Sequence, residues 1–179
     1  MPDLPPLPLG ADFTTDDWTA FLAESPINLA VAWFFAACAN PSDEVVEAST
    51  STFEALDADD TLPYLVQLIT TSGAMIHTMT AHNPAPIGML LADRDGNVLN
   101  VDELARNDRS GAAAVAAVRA VTAAANRIGG DETATPFDFI PRDPDAETIA
   151  EFSTAVFQVA GSTAAAFGRW NAARVARAN

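Results

Sequence analysis

Residues 89–104 read MLLADRDGNVLNVDEL and gather the side chains of this chain best suited to gripping an ion or a phosphate. If Gly96 took the sixth position of an EF-hand calcium loop, Asp93 and Asp95 would be its third and fifth ligands. The first ligand would then be Leu91, which has no donor atom. The twelfth would be Asp102, shorter than the bidentate glutamate usual there. Calcium chemistry therefore fails at its first ligand. A phosphate-gripping loop needs several glycines and a lysine, and the chain has no lysine. What remains is a turn. Asp95-Gly96 tolerates the positive φ of a type I′ turn, and the apolar runs Ile87–Leu91 and Val98–Val101 flank it, which predicts a β-hairpin over about 87–101.

The other reactive side chains read in the same way. His77 and His82 are five apart, so on a helix they diverge, whereas helical metal pairs sit four apart. The carboxylate groups Asp16/Asp17, Asp43/Glu44/Glu47 and Asp57/Asp59/Asp60 could supply an acid–base pair. They also fall at helix starts and loops, where acids cap and solvate, and their stronger reading is as a negative surface. Ser72 and Ser110 precede glycines, but neither sits in a G-x-S-x-G elbow or an S-x-x-K motif. Arg94, Arg106 and Arg109 could receive an anion, yet Asp93, Asp95, Asp102, Glu103 and Asp108 stand beside them and favour surface pairing. Cys38 is the lone cysteine, within an apolar run, and reads as a buried, inert thiol. No catalytic residue, metal ligand or cofactor is assigned.

The stretch GMLLADRDGNVL (residues 88–99) resembles the central hairpin of small sensor domains of the PAS and GAF kind over about a dozen residues. Those domains need more strands than this chain offers, so the resemblance implies a local hairpin and no function.

The elements that hold these residues are almost all helical. PDLPPLPLG (2–10) has four prolines, which hold it near polyproline II, so residues 1–12 form an arm and 13–179 a single domain. A capping pattern at Thr14 and Asp17 predicts a helix to about Glu24. Ser25-Pro26 starts another, apolar nearly all round, that ends before Asn40-Pro41. Ser42 caps a third. A fourth runs from about Thr61 to His82 with Leu62, Leu65, Ile69, Ser72, Ile76 and Met79 along its seam. Gly111–Ile128 is an alanine-rich helix with Val115, Val118, Val121 and Ile128 on one side. Residues 131–142 read as a loop or short extended piece. The last helix starts at Asp143-Pro144 and runs to about Ala176, with Ile149, Phe152, Val156, Val159, Thr163, Ala166, Trp170 and Ala173 in a three-four repeat. The expected fold is mainly α, a bundle of six to seven helices with one inserted β-hairpin around Asp95-Gly96.

Charge narrows the function. The net charge of the 179 residues is −15, and all nine basic residues are arginine, the first being Arg94. Residues 1–93 hold 13 carboxylates and no lysine or arginine, whereas 94–179 net only −2. Such a field repels nucleic acid and anionic membranes and favours a basic protein partner. No run of about 18 apolar residues marks a membrane span. The N-terminus lacks the positive region of a secretory signal, which gives a cytoplasmic expectation.

The leading expectation is a non-enzymatic interaction or assembly protein, a homo-oligomer or a subunit of a larger complex. It would act through helix faces and the acidic surface of Asp43, Glu44, Glu47, Asp57, Asp59 and Asp60. One alternative is a small-molecule-binding regulator whose pocket is lined by Trp33, Phe34, Phe35 and Trp170. Another is an acidic DNA mimic that inhibits a nucleic-acid enzyme.

Overall fold

Serine, asparagine and aspartate side chains begin most of the helices. In the computed structural model, which describes residues 24–80, 97–142 and 145–178, the Ser25 hydroxyl accepts from the amides of Ile27 (3.1 Å) and Asn28 (3.3 Å). Pro26 follows at the first helical position, where a missing N–H costs nothing, and helix α1 spans Pro26–Ala39. Ser42 accepts from the Val45 amide at 3.3 Å and opens α2 (Asp43–Glu54). A 3₁₀ turn at Ala58–Asp60, in which the Asp57 amide donates to the Asp60 carboxylate (3.2 Å), feeds straight into α3 (Thr61–Thr80). Asn100 caps α4 (Val101–Asn107), and the Asp108 carboxylate accepts from the Gly111 amide at 2.6 Å to start α5 (Arg109–Ile128). A second 3₁₀ turn, Pro136–Phe139, precedes α6 (Ala146–Ala178). The fold is mainly α, with six α-helices and no β-strand among the described residues.

Helices α3, α5 and α6 pack against one another as a central triad. Helix α1 lies against α6 and α3, α2 leans on α1, and α4 folds back on α5. The core is continuous across these contacts: Val31 and Phe35 from α1, Leu68 and Ile69 from α3, Val121 from α5, and Phe152 and Val156 from α6 are all buried. The triad closes tightly because small residues meet in it. A Cβ on Gly73 would lie 2.6 Å from the Ala124 Cβ and 2.8 Å from the Ala125 amide nitrogen, so α3 and α5 touch almost backbone to backbone. Gly161 and Gly168, two turns apart on α6, face Cys38 and Ala39 at the end of α1 and mark a close helix contact.

Several expectations shift. Val101 is the first residue of α4, not the end of a strand, because Asn100 accepts from the amides of Asp102 and Glu103 and turns the chain into a helix there. Leu62, Ile149 and Ile128 sit exposed at helix ends, where the apolar stripe runs past the packed part of the bundle. Of the loop or short extended piece expected over 131–142, the structure shows a loop, with a 3₁₀ turn within it. The proline-rich arm (1–12), the helix expected from Thr14, the Asp95-Gly96 turn, Asp143-Pro144 and His82 lie outside the described residues. None of the described helices is long and apolar enough to cross a membrane.

Candidate functional site

The acidic face is built by α2 and the turn after it. At 3.6 residues per turn, Val45, Ser49 and Thr52 point inward and are half-buried, while Asp43, Glu47 and Glu54 share the outer pole. Glu44 is exposed beside them, and Asp57 and Asp59 continue the negative surface into the 3₁₀ turn, with Asp60 half-buried. Between the two faces of α2, Val46 and Phe53 form an apolar shoulder about half exposed to solvent. Phe53 is fixed there by ring contacts to Tyr64 (5.4 Å) and Phe157 (5.8 Å). No residue of α2 is fully buried.

Among the described residues, no ion pair involves this face. The ion pairs of those residues join Arg109 to Glu147 (2.5 Å) and Asp145 (3.5 Å), Arg119 to Asp102 (3.7 Å) and Arg142 to Asp138 (3.4 Å). All of them lie beyond residue 100. Described residues 24–80 carry eight carboxylates and no lysine or arginine, so no cation within that segment offsets the charge of the α2 face. The pairing expected among Arg109 and its sequence neighbours is instead a link from the start of α5 to the start of α6.

The four aromatic candidates are spent largely on packing. Trp33 and Phe35 are buried, and Phe34 meets Phe35 edge to face (5.5 Å) and Phe157 at 5.7 Å. Trp170 lies far along α6, stacked near Phe167 (5.4 Å) and covered by the Arg174 guanidinium at 5.2 Å. Burial pushes the Cys38 thiol up, away from thiolate chemistry. Burial, then the neighbouring Cys38, raises the Tyr64 phenol well beyond its ordinary range. The His77 ring packs against Gly129. Among the described residues, no three His, Cys, Asp or Glu side chains converge as metal ligands.

A cleft of about 530 Å³ opens between α5 and the 131–142 segment, with Val101 of α4 at one side. Its helical wall is the stripe Val115, Val118, Arg119, Thr122, Ala123 and Asn126. The opposite wall is Thr133–Thr135 and Phe139. Asp131 shapes that wall: its carboxylate accepts from the Thr133 hydroxyl (2.6 Å) and amide (3.0 Å), and Arg127 donates to the Glu132 carbonyl. The Thr133 hydroxyl first, then the Thr133 and Ala134 amides and the Arg127 charge, hold the Asp131 carboxyl below the usual value, against desolvation. None of these residues stands out in the sequence as a site. The available signal is the spacing of 115, 118, 119, 122, 123 and 126, a second stripe on α5 beside the one that faces the core.

No protein-family model matches the chain, and no curated protein or solved structure does.

Proposed function

We propose that the protein is a non-enzymatic interaction or assembly subunit whose α2 face recruits a basic protein partner. The observation that supports this reading is the acidic surface of Asp43, Glu44, Glu47, Asp57, Asp59 and Asp60, which enters no ion pair among the described residues, next to the exposed Val46 and Phe53. Charge brings the partner in and sets its orientation, and the apolar shoulder supplies contact area once water leaves. The Asp95-Gly96 hairpin, the proline-rich arm as a contact to a neighbouring subunit, and a cytoplasmic setting belong to the same reading.

The test is affinity purification of the full chain from its native source at about 0.05 M and about 0.5 M salt, where screening differs several-fold in range. It is run alongside a variant carrying Glu44→Gln, Glu47→Gln, Asp57→Asn and Asp59→Asn. A partner of high isoelectric point, retained by the natural chain at low salt and lost from the variant, is the expected result. A chain that sediments as a monomer and retains no partner at either salt overturns the proposal.

A further inference from the structure

The cleft along α5 differs from the α2 face in carrying a cation, Arg119, in its lining. We infer that it binds a small amphipathic monocarboxylate, with an aliphatic body in the trough and its carboxylate on Arg119. The volume, about 530 Å³, falls within the roughly 300–1,000 Å³ of small-molecule sites. The trough floor is apolar, formed by Val115 and Val118, which are only 3% and 6% exposed, and Phe139 closes the far wall. Among the described residues, Arg119 is the one charged side chain in the lining. An apolar trough with a single cation at its edge selects the complementary pattern, an apolar body with one negative charge.

Arg119 is free to take such a ligand. Its ionic partner, Asp102, stands at 3.7 Å, beyond hydrogen-bond range, and both side chains are more than half exposed. A pair of that kind contributes little and exchanges readily. A carboxylate can instead meet the guanidinium through two parallel hydrogen bonds. Asp102 also sets the charge limit, because a second anionic group on the ligand would lie against it. The site is built from α4, α5 and the 131–142 segment, none of which carries the acidic residues of the α2 face, so the two proposals stand or fall separately.

The experiment is calorimetric titration of the full chain with decanoate, with decanol as the uncharged control. The natural chain is compared with Arg119→Gln and Ala134→Phe. Arg119 projects into solvent and Ala134 lies half-buried in the cleft wall, so circular dichroism is expected to report the same helical fold for both variants. Decanoate is expected to bind saturably at one site. Its affinity should fall by about tenfold in Arg119→Gln, the scale of one lost charge-assisted contact, and binding should vanish in Ala134→Phe, where the new ring fills the trough. Decanol should bind the natural chain and Arg119→Gln equally and more weakly than decanoate. Absence of saturable binding, decanoate affinity unchanged in either variant, or decanol binding as tightly as decanoate overturns the inference.

Discussion

Gly73 on α3 and Ala124 on α5 are placed so that no heavier residue fits at the glycine: a Cβ there would stand 2.6 Å from the Ala124 methyl and 2.8 Å from a backbone nitrogen. Relief cannot come from rotating a side chain, so one helix must move away from the other. Overpacking costs about 1–3 kcal/mol or more, and a rigid backbone neighbour puts this site at the high end, above the roughly 1 kcal/mol that alanine gains over glycine in a helix. Gly73→Ala is expected to lose about 2 kcal/mol net and to lower Tm by about 4–8 °C. Gly161→Ala is the contrast. Its new methyl would meet Cys38 Sγ at 3.4 Å, an ordinary contact, so that variant is expected to gain about 0.5–1 kcal/mol from reduced unfolded-state freedom. Urea unfolding of both variants checks the pair, and equal stabilities would contradict the close approach.

Ser72 sits one residue away and is fully buried, with its hydroxyl lacking a hydrogen-bond partner. The neighbouring threonines Thr70 and Thr78 donate back to the carbonyls of Val66 and Ala74, but Ser72 has no such bond. An unsatisfied buried hydroxyl costs about 1–3 kcal/mol, and alanine is the better helix former. Ser72→Ala is therefore expected to raise stability by about 1 kcal/mol, read as a higher urea midpoint at an unchanged slope. A loss of more than about 1 kcal/mol would mean that the hydroxyl has a partner after all.

The excess negative charge predicts the response to salt. Charges of one sign repel across the folded surface, and the eight carboxylates in described residues 24–80 have no lysine or arginine in that segment. Screening shortens the range of that repulsion from about 14 Å at 0.05 M to about 4 Å at 0.5 M. The isolated chain should therefore gain stability with salt, a rise of a few degrees in Tm by differential scanning calorimetry. The quadruple α2 variant should show a smaller rise. A fall in Tm with salt would indicate that attractive pairs, not repulsion, dominate the surface.

Much of this architecture was legible because helices announce themselves locally. Ser25-Pro26 and Ser42 mark their starts, and the spacing of Phe152, Val156, Val159 and Thr163 marks a buried face, all within a turn or two of sequence. What escaped depends on distant neighbours. Leu62 continues a seam that the bundle no longer covers at that end. Val101 carries a strand-like side chain, yet the Asn100 cap decides its conformation. Arg109 has carboxylates beside it in sequence, but its partners Asp145 and Glu147 come from another helix. The cleft wall at Thr133–Thr135 is held by Asp131, which accepts from Thr133, and by Phe139 and Ile140 packed against the core. Periodicity reports which face of a helix is apolar, and it is silent on which part of that face another element covers.

The acid limb of stability should carry the signature of Asp145. This residue opens α6: its carboxylate accepts from the Thr148 amide at 2.7 Å and its carbonyl from the Ile149 amide at 3.0 Å. The Thr148 hydroxyl first, then the Thr148 amide and the Arg109 charge, hold its carboxyl below the ordinary aspartate value, outweighing desolvation. The ionised form is thus the one that the fold prefers. A carboxyl depressed in the folded state binds fewer protons there than in the unfolded chain, so its contribution is complete above the unfolded value, roughly 4. It is lost as pH falls through the lower folded value. Asp145→Asn keeps a capping oxygen but removes the charge, so the difference between the two chains isolates the titration. The natural chain is expected to be the more stable at pH 6 and the two curves to converge below roughly pH 3, measured as urea midpoints against pH. A variant curve that runs parallel to the natural one down to pH 2.5 would show that the Asp145 charge has no part in holding the start of α6.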